Sequence, residues 1–272
     1  MKCLELFSGT GSFGYVFDEL GWDYTSLDRD LEADLQMDIM DFDYKQYPVG
    51  YFDYIHASPP CCYFSMLRNC WVGRKLKEHG DTIITKEIIQ KDLESKGLPI
   101  LLKTLEIIDY FKPKYWTLEN PATGKMRFYI PKEIPHVDVD YCKYSDWGYK
   151  KRTRIWYGGI DNFIPKLCKN DCDNMVEIKT EPGAVHIGYK TPIKGKTRIM
   201  HSNPMGDSSK LKTLKKHKCI STHAHSKETL KSKHKKQVED YGGGSNRLDR
   251  YRIPHELIRD LCMCIIDKEN SK

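Results

Sequence analysis

A glycine-rich turn between two apolar runs restricts the fold of this chain more than any other stretch. Residues 2–7 have the apolar density of a buried strand. Gly9-Thr10-Gly11-Ser12-Phe13-Gly14 follows, and Val16, Phe17 and Leu20 then recur at helical spacing. Gly21 stands where a helix-ending glycine would, and residues 24–27 read as a second strand closing on Asp28. A strand, a glycine turn, a helix and a second strand make a β-α-β unit, which commits the chain to a parallel sheet with helices on its faces. Glycines let a ligand approach the backbone, and free N–H groups at the helix start suit an anion, either a pyrophosphate or an amino-acid carboxylate. An acid at the end of the second strand suits ribose hydroxyls. Gly9, Gly11 and Gly14 with Asp28 are by themselves also the spelling of a dinucleotide site, so a nicotinamide-dependent dehydrogenase is one reading.

Two later strand ends carry chemistry. Residues 51–57 are apolar and aromatic, and Pro59 and Pro60 then end any ladder because neither has an N–H to give. Cys61 is presented just beyond. Pro99 to Phe111 reads as a helix with Leu101, Leu105 and Ile108 on one face, stopped at Lys112-Pro113. Residues 115–118 form the next strand, with Glu119-Asn120-Pro121 at its carboxyl end. Open α/β sheets place their chemistry at that edge, so Cys61 and Glu119 are expected to converge. Further strands are expected at 138–142 and, as a basic edge strand, at 150–156. Residues 66–99 are polar and weakly patterned and read as a loop carrying Arg68, Arg74, Lys75 and Lys77.

Composition bounds the rest. The 272 residues suffice for one large domain, or one with a small companion. No 18-residue apolar stretch is present, so no membrane span is expected. A strand-like run already at Lys2 leaves no signal peptide expected, and ten cysteines then suggest a reducing, intracellular setting. The net charge of +6 is unevenly spread, with acids crowding 28–43 and Lys and His crowding 210–236. Lys210, Lys212, Lys215, Lys216 and Lys218 form one run; Lys231, Lys233, Lys235 and Lys236 form another. Such runs suit a polyanion. Cys168-x3-Cys172 and Cys219-x3-His223-x-His225 offer thiolate and imidazole ligands, so Cys168, Cys172, Cys219 and His223 are a candidate structural zinc set.

Pro59-Pro60-Cys61-Cys62-Tyr63-Phe64-Ser65 resembles the nucleophile motif of the cytosine carbon-5 methyltransferases, P-P-C-Q-x-F-S. Phe7-Ser8-Gly9-Thr10-Gly11 upstream and Glu119-Asn120-Pro121 downstream resemble two more motifs of that family, in order. The resemblance covers roughly the first 160 residues. It implies an α/β, doubly wound Rossmann-like methyltransferase sheet at 1–160, a small basic target-recognition region at 161–249, and a C-terminal helix at 250–272 packing back on the first part. It implies S-adenosylmethionine as cofactor, with Phe7, Gly9, Gly11, Asp28, Asp38, Ile39 and Pro60 around it; the family's Asp-Ile meets the adenine amino group. It implies Cys61 as nucleophile, Glu119 at the base, Asn120 orienting Glu119 or its turn, and Arg152 and Arg154 near the target base, through likeness to the family's Q-x-R-x-R region. That region lacks its glutamine here, and Cys62 stands where the family has another. The expected reaction is methyl transfer to carbon 5 of a flipped-out cytosine. The expected partner is double-stranded DNA, met by a monomer of phage or virus type. RNA of the transfer-RNA kind is an alternative substrate, and a catalytically inactive cofactor- and nucleic-acid-binding protein is an alternative of another class.

Overall fold

The computed structural model describes residues 1–80, 82–179, 197–201 and 251–271. Its centre is a seven-stranded sheet. Strands β1 (Lys2–Leu6), β2 (Asp23–Asp28), β3 (Leu35–Gln36), β4 (Tyr54–Ala57), β5 (Tyr115–Pro121), β6 (His136–Asp140) and β7 (Arg152–Gly158) lie in the order β3-β2-β1-β4-β5-β7-β6. From β3 to β5 all neighbours are parallel, and β7 runs antiparallel to both β5 and β6. The strand order reverses between β1 and β4, which is where an open sheet of this kind opens its ligand crevice. The doubly wound α/β sheet expected from the glycine turn is therefore present.

Alternation along the strands sorts the core into two layers. Leu4, Leu6, Ile55 and Ala57 pack against Ile107, Ile108 and Phe111 of helix α3 (Leu98–Phe111) and against Phe42, Tyr44 and Phe52. On the other face Cys3 and Tyr54 meet Phe13, Val16 and Phe17 of helix α1 (Ser12–Glu19), over which lies helix α4 (His255–Asn270) with Leu257, Ile258, Leu261 and Ile265 buried. The Ser12 hydroxyl accepts from the Ile253 N–H at 3.2 Å, and Arg259 meets Glu19 in a bidentate pair at 2.9–3.0 Å.

Two sequence expectations are corrected here. The polar stretch before Pro99 is not all loop. Helix α2 (Lys86–Asp92) starts on Thr85, whose hydroxyl accepts from the Ile88 N–H, and a π turn at Leu93–Gly97 joins it to α3. The extra residue of that turn breaks the 3.6-residue periodicity, which hides the helix from pattern reading. Gly97 sits in it because a Cβ there would come within 2.8 Å of the Tyr63 Cβ. The basic strand expected at an edge is instead interior: β7 lies between β5 and β6 and the edge falls to β6. Beyond β7, strands β8 (Met175–Lys179) and β9 (Thr197–His201) form an antiparallel pair. The lysine runs at 210–236, with Cys219 and His223, lie outside the described residues.

Candidate active site

The glycine turn is strained in the way its composition allows. Phe7, Gly9 and Gly11 all have positive φ (60°, 53° and 68°), so the chain leaves β1 in a left-handed bend and enters α1 through Gly11. The Gly9 N–H donates to Asp28 Oδ2 at 2.9 Å. Asp28 Oδ1 accepts from the Asp30 and Leu31 N–H groups, each at 2.8 Å. A carboxylate has about four lone-pair sites, so Asp28 ties the turn to the end of β2 and keeps capacity for one more donor.

The helix start is not an open anion site. Glu5, buried on β1, accepts from the Phe13 N–H at 3.2 Å and the Gly14 N–H at 3.0 Å. Burial pushes its carboxyl up to about 8, against the pull of those two N–H groups. Two of the N–H groups expected to meet a ligand anion are thus already used, by a side chain that strand alternation alone assigns to the core.

Asp38 caps a 3₁₀ turn at Ile39–Asp41: its Oδ1 accepts from the Met40 N–H at 3.0 Å and its Oδ2 lies 3.5 Å from Arg29. Ile39 is 2% exposed and its side chain belongs to the core under α3. Phe7 is half-buried against the same cluster, and Pro60 is exposed.

Adjacent parallel strands deliver the other two motifs. Past the end of β4 the chain passes Pro59 and Pro60 into a 3₁₀ turn at Cys61–Tyr63. The next strand over carries Glu119, 7% exposed, and Asn120, which is fully buried. Asn120 Nδ2 donates to the Pro59 carbonyl at 2.9 Å, which bridges the two strand ends. Its Oδ1 is buried with no hydrogen-bond partner among the described residues. Glu119 Oε1 accepts from the Tyr141 hydroxyl at 3.0 Å and from the Thr153 hydroxyl, and the Lys151 ammonium stands 3.6 Å away. Burial, and next the Glu119 charge, push the Cys61 thiol up, while Lys151 pulls it down. Cys61 is half-buried, whereas Cys62 is exposed.

The arginines lie elsewhere. Alternation along β7 gives Thr153 to the Glu119 face and turns Arg152 and Arg154 to the opposite one. There they make bidentate cross-strand pairs, Arg152 with Asp140 at 2.8 and 3.0 Å and Arg154 with Asp138 at 2.7 and 3.1 Å. The structure brings Cys61, Glu119 and Asn120 together and does not bring Arg152 and Arg154 to them. The cation beside Glu119 is Lys151, which sequence reading passed over. Alternation over 150–156 puts Lys151 on the Thr153 face, but only the pairing of β7 with β5 brings that face to Glu119.

The segment after Cys61 is anchored by a buried ion pair. Arg68 Nη2 lies 2.6 Å from Asp92 of α2, and His79 and Lys96 also face that carboxylate at 3.0 and 3.1 Å. Phe64 packs with Leu93, Leu101 and Leu118 below it. The basic residue of this loop that was expected at the surface therefore holds the segment down.

Cys168 and Cys172 do lie together, 3.5 and 3.4 Å from His201 Nε2, and Cys142 joins them. The expected partners Cys219 and His223 lie outside the described residues.

A glycine turn after β1, a cysteine after β4 and a glutamate on β5 thus stand at one edge of a doubly wound, Rossmann-like sheet. No protein-family model matches the chain. A curated relative named a probable DNA (cytosine-5)-methyltransferase, from Frog virus 3 (isolate Goorha), is 46% identical over 179 residues, covering 64% of this chain and 79% of the relative. The chain belongs to the DNA (cytosine-5)-methyltransferase family. Among solved structures, the S. pombe Dnmt2 methyltransferase matches 61% of this chain at 13% identity with a TM-score of 0.36. The Entamoeba histolytica methyltransferase EhMeth matches 62% at 16% identity, also with a TM-score of 0.36. This chain covers 51% and 57% of those two chains, so it spans about half their length.

Proposed function

We propose that this chain transfers a methyl group to carbon 5 of cytosine in DNA. The observation that carries the reading is the Asn120–Pro59 bond, which couples the strand end bearing Cys61 to the strand bearing Glu119. S-adenosylmethionine supplies an electrophilic sulfonium methyl when bound. The left-handed turn at Phe7, Gly9 and Gly11 leaves backbone for it, Asp28 keeps an acceptor for a ribose hydroxyl, and Asp38 stands at the next strand end for the adenine.

Cys61, as thiolate, adds to carbon 6 of a cytosine turned out of its duplex, and the ring's electrons become available at carbon 5. Glu119 accepts from the exocyclic amine and brings to N3 a proton taken up as the base binds, which spares the ring a full negative charge. Tyr141 and Thr153 orient that carboxyl from below, and Lys151 favours the thiolate of Cys61. Methyl transfer would leave the cofactor as a neutral thioether; water then accepts the proton on carbon 5, the Cys61 sulfur departs from carbon 6 as thiolate, the proton on N3 returns to Glu119, and the double bond between carbons 5 and 6 is restored. Arg152 and Arg154 act on the fold in this reading, holding β6 against β7. The lysine runs at 210–236 would neutralise phosphates, so affinity should fall steeply with salt. A structural zinc ion, apart from the transfer chemistry, completes the reading. No helix among the described residues is long and apolar enough to cross a membrane.

Duplex DNA carrying 5-fluorocytosine tests the chemistry. Fluorine cannot leave carbon 5 as a proton does, so the adduct should persist as a denaturant-stable, cofactor-dependent complex. Cys61→Ser should abolish it and Cys62→Ser should keep it. Trapping on RNA alone would overturn the substrate, trapping through Cys62 the nucleophile, and no trapping on either polymer the reaction itself.

A further inference from the structure

We infer that Cys142, Cys168, Cys172 and His201 bind one zinc ion that clips the β8–β9 hairpin and the 159–174 connection to the edge of the catalytic sheet. All four are buried, and their ligand atoms lie within 4.8 Å of one another. A tetrahedral ion with bonds of about 2.3 Å to sulfur and about 2.05 Å to nitrogen sets each S···N edge at about 3.6 Å. The two edges seen, Cys168 Sγ and Cys172 Sγ to His201 Nε2, are 3.5 and 3.4 Å. Three thiols and an imidazole converge on one point, with Met175 packed beside them as the only apolar cover among the described residues. A disulfide between two of the cysteines would leave the third thiol and the imidazole with no function at that point. A thiolate-rich zinc centre uses all four.

The backbone is built for the same end. Asn170 has a positive φ of 65°, which turns its N–H back onto Cys168 Sγ at 3.3 Å. Such N–H···S bonds favour thiolate over thiol. The Cys168 N–H is itself fixed by Asp140 Oδ2 at 2.8 Å, and Asp140 ends β6, two residues before Cys142. Three thiolates and a divalent ion carry one net negative charge. Lys150 stands beside it, with its Nζ on the Cys168 carbonyl at 2.6 Å. His201 arrives through strand register: it pairs with Met175, three residues after Cys172. The ligands thus come from three separate parts of the chain, a turn after β6, a loop after β7 and the last residue of β9.

Such a site in a region with little core of its own contributes folding energy directly. It stands apart from the transfer reading, because none of its ligands touches Cys61 or the glycine turn. The full chain, grown with zinc and purified without chelator under reducing conditions, should carry one zinc per chain by plasma mass spectrometry. Cys61→Ser, and the pair Cys219→Ser with His223→Ala, should leave that content unchanged. Cys142→Ser or Cys172→Ser should remove it under mild chelator competition, while His201→Cys should retain it. Cobalt substitution of the unmutated chain gives a second readout that needs no variant to fold: tetrahedral d–d bands with strong thiolate charge transfer. A wild-type chain without zinc and without that cobalt spectrum overturns the site. Zinc lost on changing Cys219 and His223 but kept in Cys172→Ser overturns the ligand set. A disulfide among Cys142, Cys168 and Cys172 in non-reducing peptide maps also overturns it.

Discussion

Asn120 and Pro59 are joined across neighbouring strand ends by a 2.9 Å hydrogen bond, amide to carbonyl, with both residues buried. The bond makes the turn bearing Cys61 and the strand bearing Glu119 one unit. Asn120→Ala leaves a buried carbonyl without its donor, which costs about 1–3 kcal/mol. Urea unfolding should show that loss. Trapping on 5-fluorocytosine DNA should slow further than stability alone explains, with affinity for S-adenosylmethionine preserved. Trapping at the wild-type rate would mean that the bridge serves the fold only.

Lys151 and Glu119 pull the Cys61 thiol in opposite directions. Lys151→Gln removes the pull that favours thiolate, so the alkylation of Cys61 by iodoacetamide should need a higher pH. Glu119→Gln removes a push and should shift the midpoint lower, even though it lowers transfer activity. Cleavage after Arg68 separates Cys61 from the exposed Cys70, and fragment-ion sequencing of the remaining peptide separates it from the adjacent, exposed Cys62. An unchanged midpoint in both variants would remove Lys151 from the account of activation.

Asp28 holds the glycine turn through the Gly9 N–H and should also hold the cofactor. Asp28→Ala should weaken S-adenosylmethionine binding by calorimetry by about 1.5–3 kcal/mol, the scale of a hydrogen bond to a charged group. Asp28→Asn, which keeps an acceptor for Gly9, should fall between the two. NAD should not bind in any of them; tighter binding of NAD than of the sulfur cofactor would restore the dehydrogenase reading.

Glu5 makes stability depend on pH in an unusual direction. Its carboxyl is at about 8 in the fold against 4.5 when free. Between those values the folded chain holds a proton that the unfolded chain has released, so unfolding free energy falls as pH rises through that window. Glu5→Gln should flatten this slope and lose about 1 kcal/mol, since the amide offers one acceptor for two N–H groups. Urea midpoints at the two ends of the window measure it, and an equally steep slope in the variant would exclude Glu5 as its source.

What could be read in advance was local. The turn at Gly9 and Gly11, the stop at Pro59-Pro60 and the placement of Cys61 just beyond it depend on residues next to one another, and the expected parallel strands followed from them. Lys151 could not be assigned to Glu119 without knowing that β7 inserts between β5 and β6, a pairing across more than thirty residues. The same insertion moved Arg152 and Arg154 away from the site and onto Asp140 and Asp138. Cys142 and His201 do not stand out in the sequence because neither is spaced with Cys168 and Cys172: Asp140 brings Cys142 to Cys168, and the register of β8 and β9 brings His201. Helix α2 is hidden by the π turn, and the partners of Glu5, the Phe13 and Gly14 N–H groups, depend on how the glycine turn folds back over β1.

The packing of α4 over α1 has a kinetic side. Ser12 and Ile253 meet across 241 residues, and Arg259 and Glu19 across 240. At a synthesis rate of roughly 5–20 residues per second, α1 would wait on the order of ten seconds to a minute for its cover. Closing so long a loop adds little to the equilibrium cost, which grows only with the logarithm of length, but it delays the contact. Through that interval the apolar flank of α1 is open to chaperones and to other nascent chains. A ribosome stalled before Arg252 would therefore hold a half-clad sheet with its glycine turn complete, and the yield of soluble protein should respond to translation speed over the last stretch more than over the first.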